Sequence, residues 1–282
     1  MSMMSVAQQL HKDYITWPAS AYLHNYVTNW TKGQELTKTW GDNGTQKEWE
    51  DEEFFTSRVK IKPYITNTAT QIKAYANNKR LLFWVPVGDT NRNGVNTNSL
   101  PNGIFDSEVF STWSYVDHYG VWTSPFGWVP GGFADAAHKH GTAVSGVASI
   151  PNAGISATWN TCLSSLAVSY KSDASKLGDF LAYHGVDGLG YNSEFSSGST
   201  LISNLNQMHG KLTTYMRNTK GNTKFENPWY TGTNDNGSID FTSALTSRNT
   251  GIFGTNAEPR TSLFVNYEWL SFQGNFKKEL SR

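Results

Sequence analysis

A carboxyl group and an amide lie two positions apart at the end of the segment 185–194, G-V-D-G-L-G-Y-N-S-E. The segment is predicted to be a strand. Side chains alternate faces along a strand, so Asn192 and Glu194 share one face and lie about 6–7 Å apart. Gly188 and Gly190 precede them on that face and leave room there. An acid beside an amide at the open end of a strand suits chemistry on a sugar that carries an N-acetyl group.

The pairing of one carboxyl group with one amide points to a particular kind of glycoside hydrolysis. Most glycosidases use two carboxyl groups, whose spacing sets the stereochemistry. A smaller group uses one carboxyl group as general acid, and the nucleophile is the carbonyl oxygen of the substrate's own 2-acetamido group. A second protein side chain must then orient that acetamide while an oxazoline-like ring closes. An Asn-x-Glu pair on one strand face provides both parts.

Length, charge and cysteine content exclude several classes of protein. The 282 residues suit one α/β barrel, for which about 250 are usual. The 23 basic and 23 acidic residues balance and form no basic stripe, so nucleic acid is not an expected partner. Cys162 is the single cysteine, which excludes an intrachain disulfide and a zinc site built on cysteines. No apolar run approaches the roughly 20 residues that cross a bilayer, so no membrane insertion is expected.

Aromatic residues make up 14% of the chain, nearly as much as the 16% that is charged. Aromatic faces stack on the apolar faces of sugar rings, and their polar edges supply hydrogen bonds. The same abundance is typical of a large aromatic core. Trp113, Trp122 and Trp159 therefore stay open between core packing and sugar binding.

Six apolar runs predict buried strands, with segments of helical length between them. The strands are predicted at 81–87, 115–122, 143–150, 186–191, 225–230 and 263–269. Helices are predicted at 133–140, 174–183, 200–217 and 241–249. Gly141 and Gly185 follow two of these helices as stop signals. Repeated strand–helix units with buried strands indicate a parallel sheet.

The expected fold class is α/β, a (β/α)8 barrel of TIM type that is incomplete at its carboxyl end. Six units are visible where a closed barrel has eight. Either the chain is truncated, or residues 1–80 contain strands that the pattern does not reveal. We expect residues 1–282 to form a single catalytic barrel domain, with 1–80 as an N-terminal segment leading into it.

The segment 187–194, D-G-L-G-Y-N-S-E, resembles the catalytic strand of glycoside hydrolase family 85, the endo-β-N-acetylglucosaminidases. It is also close to the D-G-x-D-x-D-x-E pattern of the family 18 chitinases. Asn192 stands where the chitinase pattern has its penultimate acid, and Gly190 stands where it has the earlier Asp. Asn at that position is what family 85 carries.

Further segments resemble the same family in the expected order. They are P-F-G-W at 125–128, F-A-D-A-A-H-K-H-G at 133–141, W-Y at 229–230 and F-V-N-Y-E-W at 264–269. An aromatic residue, Phe241, follows the W-Y pair, where the family often has Trp. Together the segments cover about residues 80–270.

The resemblance implies a role for each matching residue. Glu194 is the general acid, which protonates the departing sugar oxygen and later acts as base on water. Asn192 holds the acetamido group, and Tyr230 hydrogen-bonds near the forming oxazoline. The implied substrate-binding residues are Trp128, Phe241, Asn266 and Trp269.

The implied activity is cleavage of the GlcNAc-β-1,4-GlcNAc chitobiose core of N-linked glycans, by a retaining, substrate-assisted mechanism. The expected partner is an N-linked glycan or glycopeptide, with no metal and no cofactor, and the expected oligomeric state is a monomer. A secreted or cell-surface location is expected, with a cytoplasmic one as the alternative. Two other functions stay open: a family 18 type hydrolase of GlcNAc polymers, and a glycan-binding degenerate barrel without catalysis.

Three polar residues near these motifs are predicted to be structural. Asp187 lies on the strand face opposite Asn192 and is expected to bond backbone groups of a neighbouring element. His138 and His140 are two positions apart at a helix end and so point in different directions. Helix termination and packing are therefore favoured over metal binding.

Overall fold

The computed structural model describes residues 27–28, 30, 57–61, 81–85, 113–122, 131–149, 157–193, 196–230, 254 and 261–264. The strands are β1 (Leu82–Val85), β2 (His118–Trp122), β3 (Ala143–Ser149), β4 (Leu189–Asn192), β5 (Asn227–Tyr230) and β6 (Thr261–Phe264). The helices are α1 (Gly131–Lys139), α2 (Ala157–Tyr170), α3 (Ser175–His184) and α4 (Ser199–Asn218). A 3-10 turn spans Trp113–Tyr115.

The expected α/β class is confirmed. Each of the six predicted strands overlaps an observed strand, and β1–β2, β2–β3, β4–β5 and β5–β6 all pair in parallel. One helix lies between β2 and β3, two lie between β3 and β4, and one lies between β4 and β5. Two strands are predicted to begin three residues too early: residues 113–115 form a 3-10 turn and β2 begins only at His118, and β4 begins at Leu189 and not at 186. The predicted helix 241–249 lies outside the described residues.

The chain divides into two compact units. In the described part, the first unit holds β1, β2, α1, β3 as far as Val147, and residues 181–187. The second holds α2, the first turns of α3, β4, α4, β5 and β6. A single catalytic domain over residues 1–282 stays a prediction.

The core of the first unit lies between β2, β3 and one face of α1. Ala134 and Ala137 are three positions apart, so both point to the same side of α1. They pack there in one buried cluster with Trp113, Val116, Tyr119 and Val144. The small alanine side chains let α1 lie close to the strands, and the aromatic rings fill the remaining space.

Two helices end in the same hydrogen-bonded motif, and each leads directly toward the next strand. Gly141, after α1, has φ 78°, and Gly185, after α3, has φ 71°, which is the left-handed region that favours glycine. Thr142 N donates to Ala137 O at 2.9 Å, and Val186 N donates to Leu181 O at 2.9 Å. These are the six-to-one bonds of Schellman caps. Both predicted stop signals are therefore confirmed.

In the second unit, α4 buries one stripe along its whole length. The buried residues recur every three or four positions, as a helix packed along one side requires. They are Leu201, Ile202, Asn204, Leu205, Met208, His209, Leu212, Thr213 and Met216. Helix α2 packs against α4. No helix in the part of the chain described here is long and apolar enough to span a membrane.

Candidate active site

The carboxyl ends of β4 and β5 bring two predicted site residues side by side. Asn192 is the last residue of β4 and Tyr230 is the last residue of β5, and the two are register partners. Partner residues on neighbouring parallel strands project their side chains from the same face of the sheet. The amide of Asn192 and the phenol of Tyr230 therefore share one face.

Both side chains are buried, with 7% of Asn192 and 3% of Tyr230 exposed. The amide does not titrate, so Asn192 offers one acceptor oxygen and two N–H donors at every pH. The phenol of Tyr230 can donate and accept. Together they can hold a small amide group by its N–H and by its carbonyl oxygen. That is the chemistry which an acetamido group requires.

The opposite face of the same strands is covered by an aromatic cluster. Tyr191 precedes Asn192 and Trp229 precedes Tyr230, and their ring centroids lie 5.0 Å apart. His209 of α4 lies 5.0 Å from Tyr191 and 6.2 Å from Trp229. Burial raises the pKa of Tyr191 well above its ordinary value. Tyr191 is therefore a neutral packing residue, and its contact with α4 fixes Asn192 on the face away from that helix.

Asp187 is structural, as the sequence predicts. Its Oδ2 accepts a hydrogen bond from the backbone N–H of Val144 at 2.9 Å. The backbone of Asp187 also donates to the carbonyl of Val144 at 2.8 Å. The same Oδ2 lies 2.7 Å from Nε2 of His138. One carboxylate thus joins residues 181–187 to β3 and α1 within the first unit.

His138 is held from both sides of its ring. Nε2 faces Asp187, and Nδ1 lies 2.5 Å from the carbonyl oxygen of Val59. A carbonyl oxygen only accepts, so Nδ1 carries a proton. Burial of the ring disfavours the charged form, but the hydrogen bond and charge of Asp187, the Val59 carbonyl and the charge of Asp135 outweigh it. The pKa of His138 is therefore raised above its ordinary value of 6.5.

The predicted structural role of the two histidines is confirmed by their contacts. Both ring nitrogens of His138 contact protein groups. The ring of His140 stacks on Trp113, with centroids 5.8 Å apart and an interplanar angle of 5°. Among the residues that the structure describes, no group of three or more His, Cys, Asp or Glu is arranged to hold a metal ion. The absence of a metal or cofactor stays a prediction.

Two further residues organise these elements, and the sequence pattern does not predict their roles. Ser57 donates from Oγ to Oδ1 of Asp135 at 2.6 Å, across a long sequence separation that no local pattern signals. Asn227 begins β5 and bonds both β4 and α4 through its side chain. Asn227 directly precedes Pro228 in the strand, and a proline there lacks the N–H that a ladder hydrogen bond uses.

Five of the predicted site residues lie outside the described part of the chain. They are Glu194, Trp128, Phe241, Asn266 and Trp269. Their roles, and the roles of Asn192 and Tyr230, stay predictions. The structure shows that Asn192 and Tyr230 share one face of the sheet.

The sequence profile of Glycosyl hydrolase family 85 matches residues 92–281, which is more than half of the chain. The match includes β2 to β6 and therefore both Asn192 and Tyr230. The chain belongs to glycosyl hydrolase family 85, a family of glycosidases. A search of curated protein sequences finds no significant match.

The fold is similar to that of the glycoside hydrolase domain of Endo-D from Streptococcus pneumoniae R6, with a TM-score of 0.54 and 15% identity. The likeness covers 87% of this chain and 36% of that chain, so this chain spans about a third of its length. It supports the TIM-type α/β fold. A chitinase from Rhizomucor miehei gives a TM-score of 0.38 at 16% identity, over 65% of this chain and 56% of that one, and carries no inference.

Proposed function

We propose that this chain is the catalytic domain of an endo-β-N-acetylglucosaminidase, which cleaves the chitobiose core of N-linked glycans between its two GlcNAc residues. The observation that carries the proposal is the register pairing of Asn192 with Tyr230 at the ends of β4 and β5, in a chain of family 85. Glu194 follows Asn192 by two positions. N-linked glycans are displayed on exported proteins, so a secreted or cell-surface location belongs to the same proposal.

The first chemical step forms an oxazolinium ion from the substrate, in which the acetamido N–H is retained. The acetamido carbonyl oxygen attacks the anomeric carbon, and the bond to the departing sugar oxygen breaks with its electron pair. Glu194 gives its proton to that oxygen. The Oδ1 of Asn192 accepts a hydrogen bond from the acetamido N–H, and the hydroxyl of Tyr230 bonds near the closing ring.

The second step restores the sugar. Glu194, now a carboxylate, takes a proton from water, and the water oxygen attacks the anomeric carbon from the face that the first sugar left. The bond to the oxazoline oxygen breaks, and its electron pair returns to the acetamide. Two displacements at one carbon retain its configuration.

A neutral Asn192 has a further chemical consequence. An aspartate at this position would balance the positive charge of an oxazolinium, whereas an amide orients the ring without neutralising it. We therefore propose that sugar acceptors intercept the intermediate and give transglycosylation products. Absence of any transfer product at high acceptor concentration would contradict this part of the proposal.

The direct test treats a high-mannose glycopeptide with the protein and analyses the products by mass spectrometry. We expect the glycan to be released with one GlcNAc left on the peptide, and no release by Glu194→Gln. Chitooligosaccharides are assayed in parallel. Cleavage of these but not of the glycopeptide would favour a hydrolase of GlcNAc polymers, and binding without any cleavage would favour a glycan-binding protein.

A matched pair of variants tests the site itself. Asn192→Ala removes an amide from the proposed site, whereas Asn218→Ala removes one from an exposed position at the end of α4. Loss of a positioned hydrogen-bonding group at an active site lowers kcat by about 10²-fold or more. We expect that loss for Asn192→Ala and unchanged kcat for Asn218→Ala.

A further inference from the structure

Backbone pairing between β4 and β5 is short. The register partners on the two strands are Tyr191 with Trp229 and Asn192 with Tyr230. If the same register is continued toward the amino ends, Pro228 comes opposite Gly190 and Asn227 opposite Leu189. Proline has no N–H, so Pro228 cannot donate to a strand ladder. Pro228 therefore adds no backbone donor beside the short stretch that sets Asn192 next to Tyr230.

The side chain of Asn227 provides a bond at this level. The backbone N–H of Leu189, the first residue of β4, donates to Oδ1 of Asn227 at 3.3 Å. The Nδ2 of Asn227 donates to Oγ1 of Thr213 on α4 at 3.2 Å. Leu189 and Asn227 are 1% and 0% exposed, and Thr213 is 5% exposed. One buried amide therefore joins β5 to β4 and to α4.

The orientation of Asn227 agrees with strand alternation. Residues two apart on a strand point to the same face, so Asn227 and Trp229 share one face and Tyr230 points to the other. Asn227 contacts Thr213 on α4, and the Trp229 ring lies near His209 on the same helix. The side of β5 that faces α4 thus makes the contacts that hold the strand in place, while Tyr230 points to the opposite side.

We propose that Asn227 is a positioning residue, which holds the β4–β5 register that places Asn192 beside Tyr230. A slip of one residue would turn the side chains of β4 to the opposite faces and carry Asn192 away from Tyr230. Asn227 prevents this slip because its amide accepts the Leu189 N–H in one register while Thr213 fixes the rotation of that amide. This inference rests on the proposed function for its catalytic readout.

The experiment uses two variants that keep the side-chain size and remove the polar link. Asn227→Leu removes both hydrogen bonds, and Thr213→Val removes the acceptor that orients the amide. Thr213→Ser keeps that oxygen, and Thr214→Val changes an exposed residue one position along α4. On a glycopeptide substrate, we expect kcat to fall about 10–100-fold for Asn227→Leu and Thr213→Val, with a smaller change in KM. Thr213→Ser should restore most of kcat, and Thr214→Val should leave it unchanged.

A double-mutant cycle separates positioning from simple destabilisation. If Asn227 acts by holding the register that positions Asn192, then the losses of kcat caused by Asn227→Leu and Asn192→Ala should be less than multiplicative when the two are combined. Independent, multiplicative losses would overturn the inference. Equal folding of each variant is checked by thermal unfolding, and Asn227→Ser replaces Asn227→Leu if the latter does not fold.

Hydrogen exchange and NMR spectra do not depend on catalysis, so they distinguish a failure of the positioning role from a failure of the proposed function. Hydrogen exchange of the Leu189 amide should quicken in Asn227→Leu and Thr213→Val, and the side-chain amide resonances of Asn192 should shift. If the unmodified protein cleaves no glycan while both spectral changes occur, the proposed function fails and the positioning role stands. Unchanged exchange and unchanged Asn192 resonances overturn the positioning role, whatever the activity.

Discussion

Nε2 of His138 lies 2.7 Å from Oδ2 of Asp187, and both side chains are almost fully enclosed, at 3% and 4% exposure. This buried ion pair joins α1 to the residues that precede β4. Breaking such a pair from one side leaves a charge in the interior without its partner, and that is costly. The stability of the first unit should therefore depend in part on the protonation of His138.

The stability of the protein should depend on pH through His138. The folded-state pKa is raised above 6.5, so the stabilisation is fully present below about 6.5 and is lost as pH rises through the folded value. We expect the difference in Tm between the unmodified protein and His138→Gln to be largest at low pH within the range 5–9. It should narrow at higher pH by about 2–4 °C per kcal/mol lost. A difference that stays constant or widens with pH would contradict this expectation.

Removing the carboxylate of Asp187 should destabilise the protein strongly at a pH where His138 is protonated. Asp187→Asn keeps an oxygen that accepts the Val144 N–H but cannot neutralise the imidazolium. We expect a loss of about 3–5 kcal/mol at pH 6 from urea unfolding. The His138 ring resonances should titrate at a lower pH than in the unmodified protein. A loss below about 1 kcal/mol would show that the ion pair contributes little.

Gly185→Ala should destabilise the protein for two separable reasons. The residue has φ +71°, and an added Cβ would lie 2.5 Å from Cβ of Ser57. Gly221 has the same φ of +71° but nothing within 4 Å of an added Cβ. Gly221→Ala therefore measures the conformational penalty alone, about 1–2 kcal/mol. Unfolding experiments should show a larger loss for Gly185→Ala, and equal losses would mean that Ser57 moves aside freely.

Asn192→Asp tests the charge argument of the proposed mechanism. A carboxylate beside the oxazolinium would balance its charge, so we expect a lower ratio of transfer to hydrolysis products by several-fold at a fixed acceptor concentration. The ratio is measured by mass spectrometry with a sugar acceptor and the same glycopeptide donor. An unchanged or increased ratio in an active variant would rule out the charge argument.

The strands were predictable from sequence because short apolar runs recur along the chain, separated by segments of helical length. The ends of α1 and α3 were predictable because Gly141 and Gly185 occupy left-handed positions that few other residues accept. The sequence pattern does not predict helix α2, because Ala157–Tyr170 has no charged residues and many Ser and Thr. The segment therefore shows no clear polar and apolar stripes.

The candidate site was predictable in part. Asn192 and Tyr230 were chosen from motifs, and their pairing follows from the parallel register of β4 and β5. The contact between Ser57, Asp135 and His138 was not predictable, because it joins residues distant in sequence through side-chain geometry. The Asn-Pro pair at 227–228 is visible in the sequence, but the role of Asn227 depends on which strand lies beside Pro228.

Because side chains alternate along β4 and β5, the two faces of this strand pair have different roles. Tyr191, Asn227 and Trp229 face α4 and secure the fold, whereas Asn192 and Tyr230 face the other way. For directed evolution, this means that a library confined to the second face changes the chemistry offered to a ligand while sparing the contacts that keep the protein folded. Libraries built on the helix-facing positions would lose most of their members to misfolding before any new specificity could be selected.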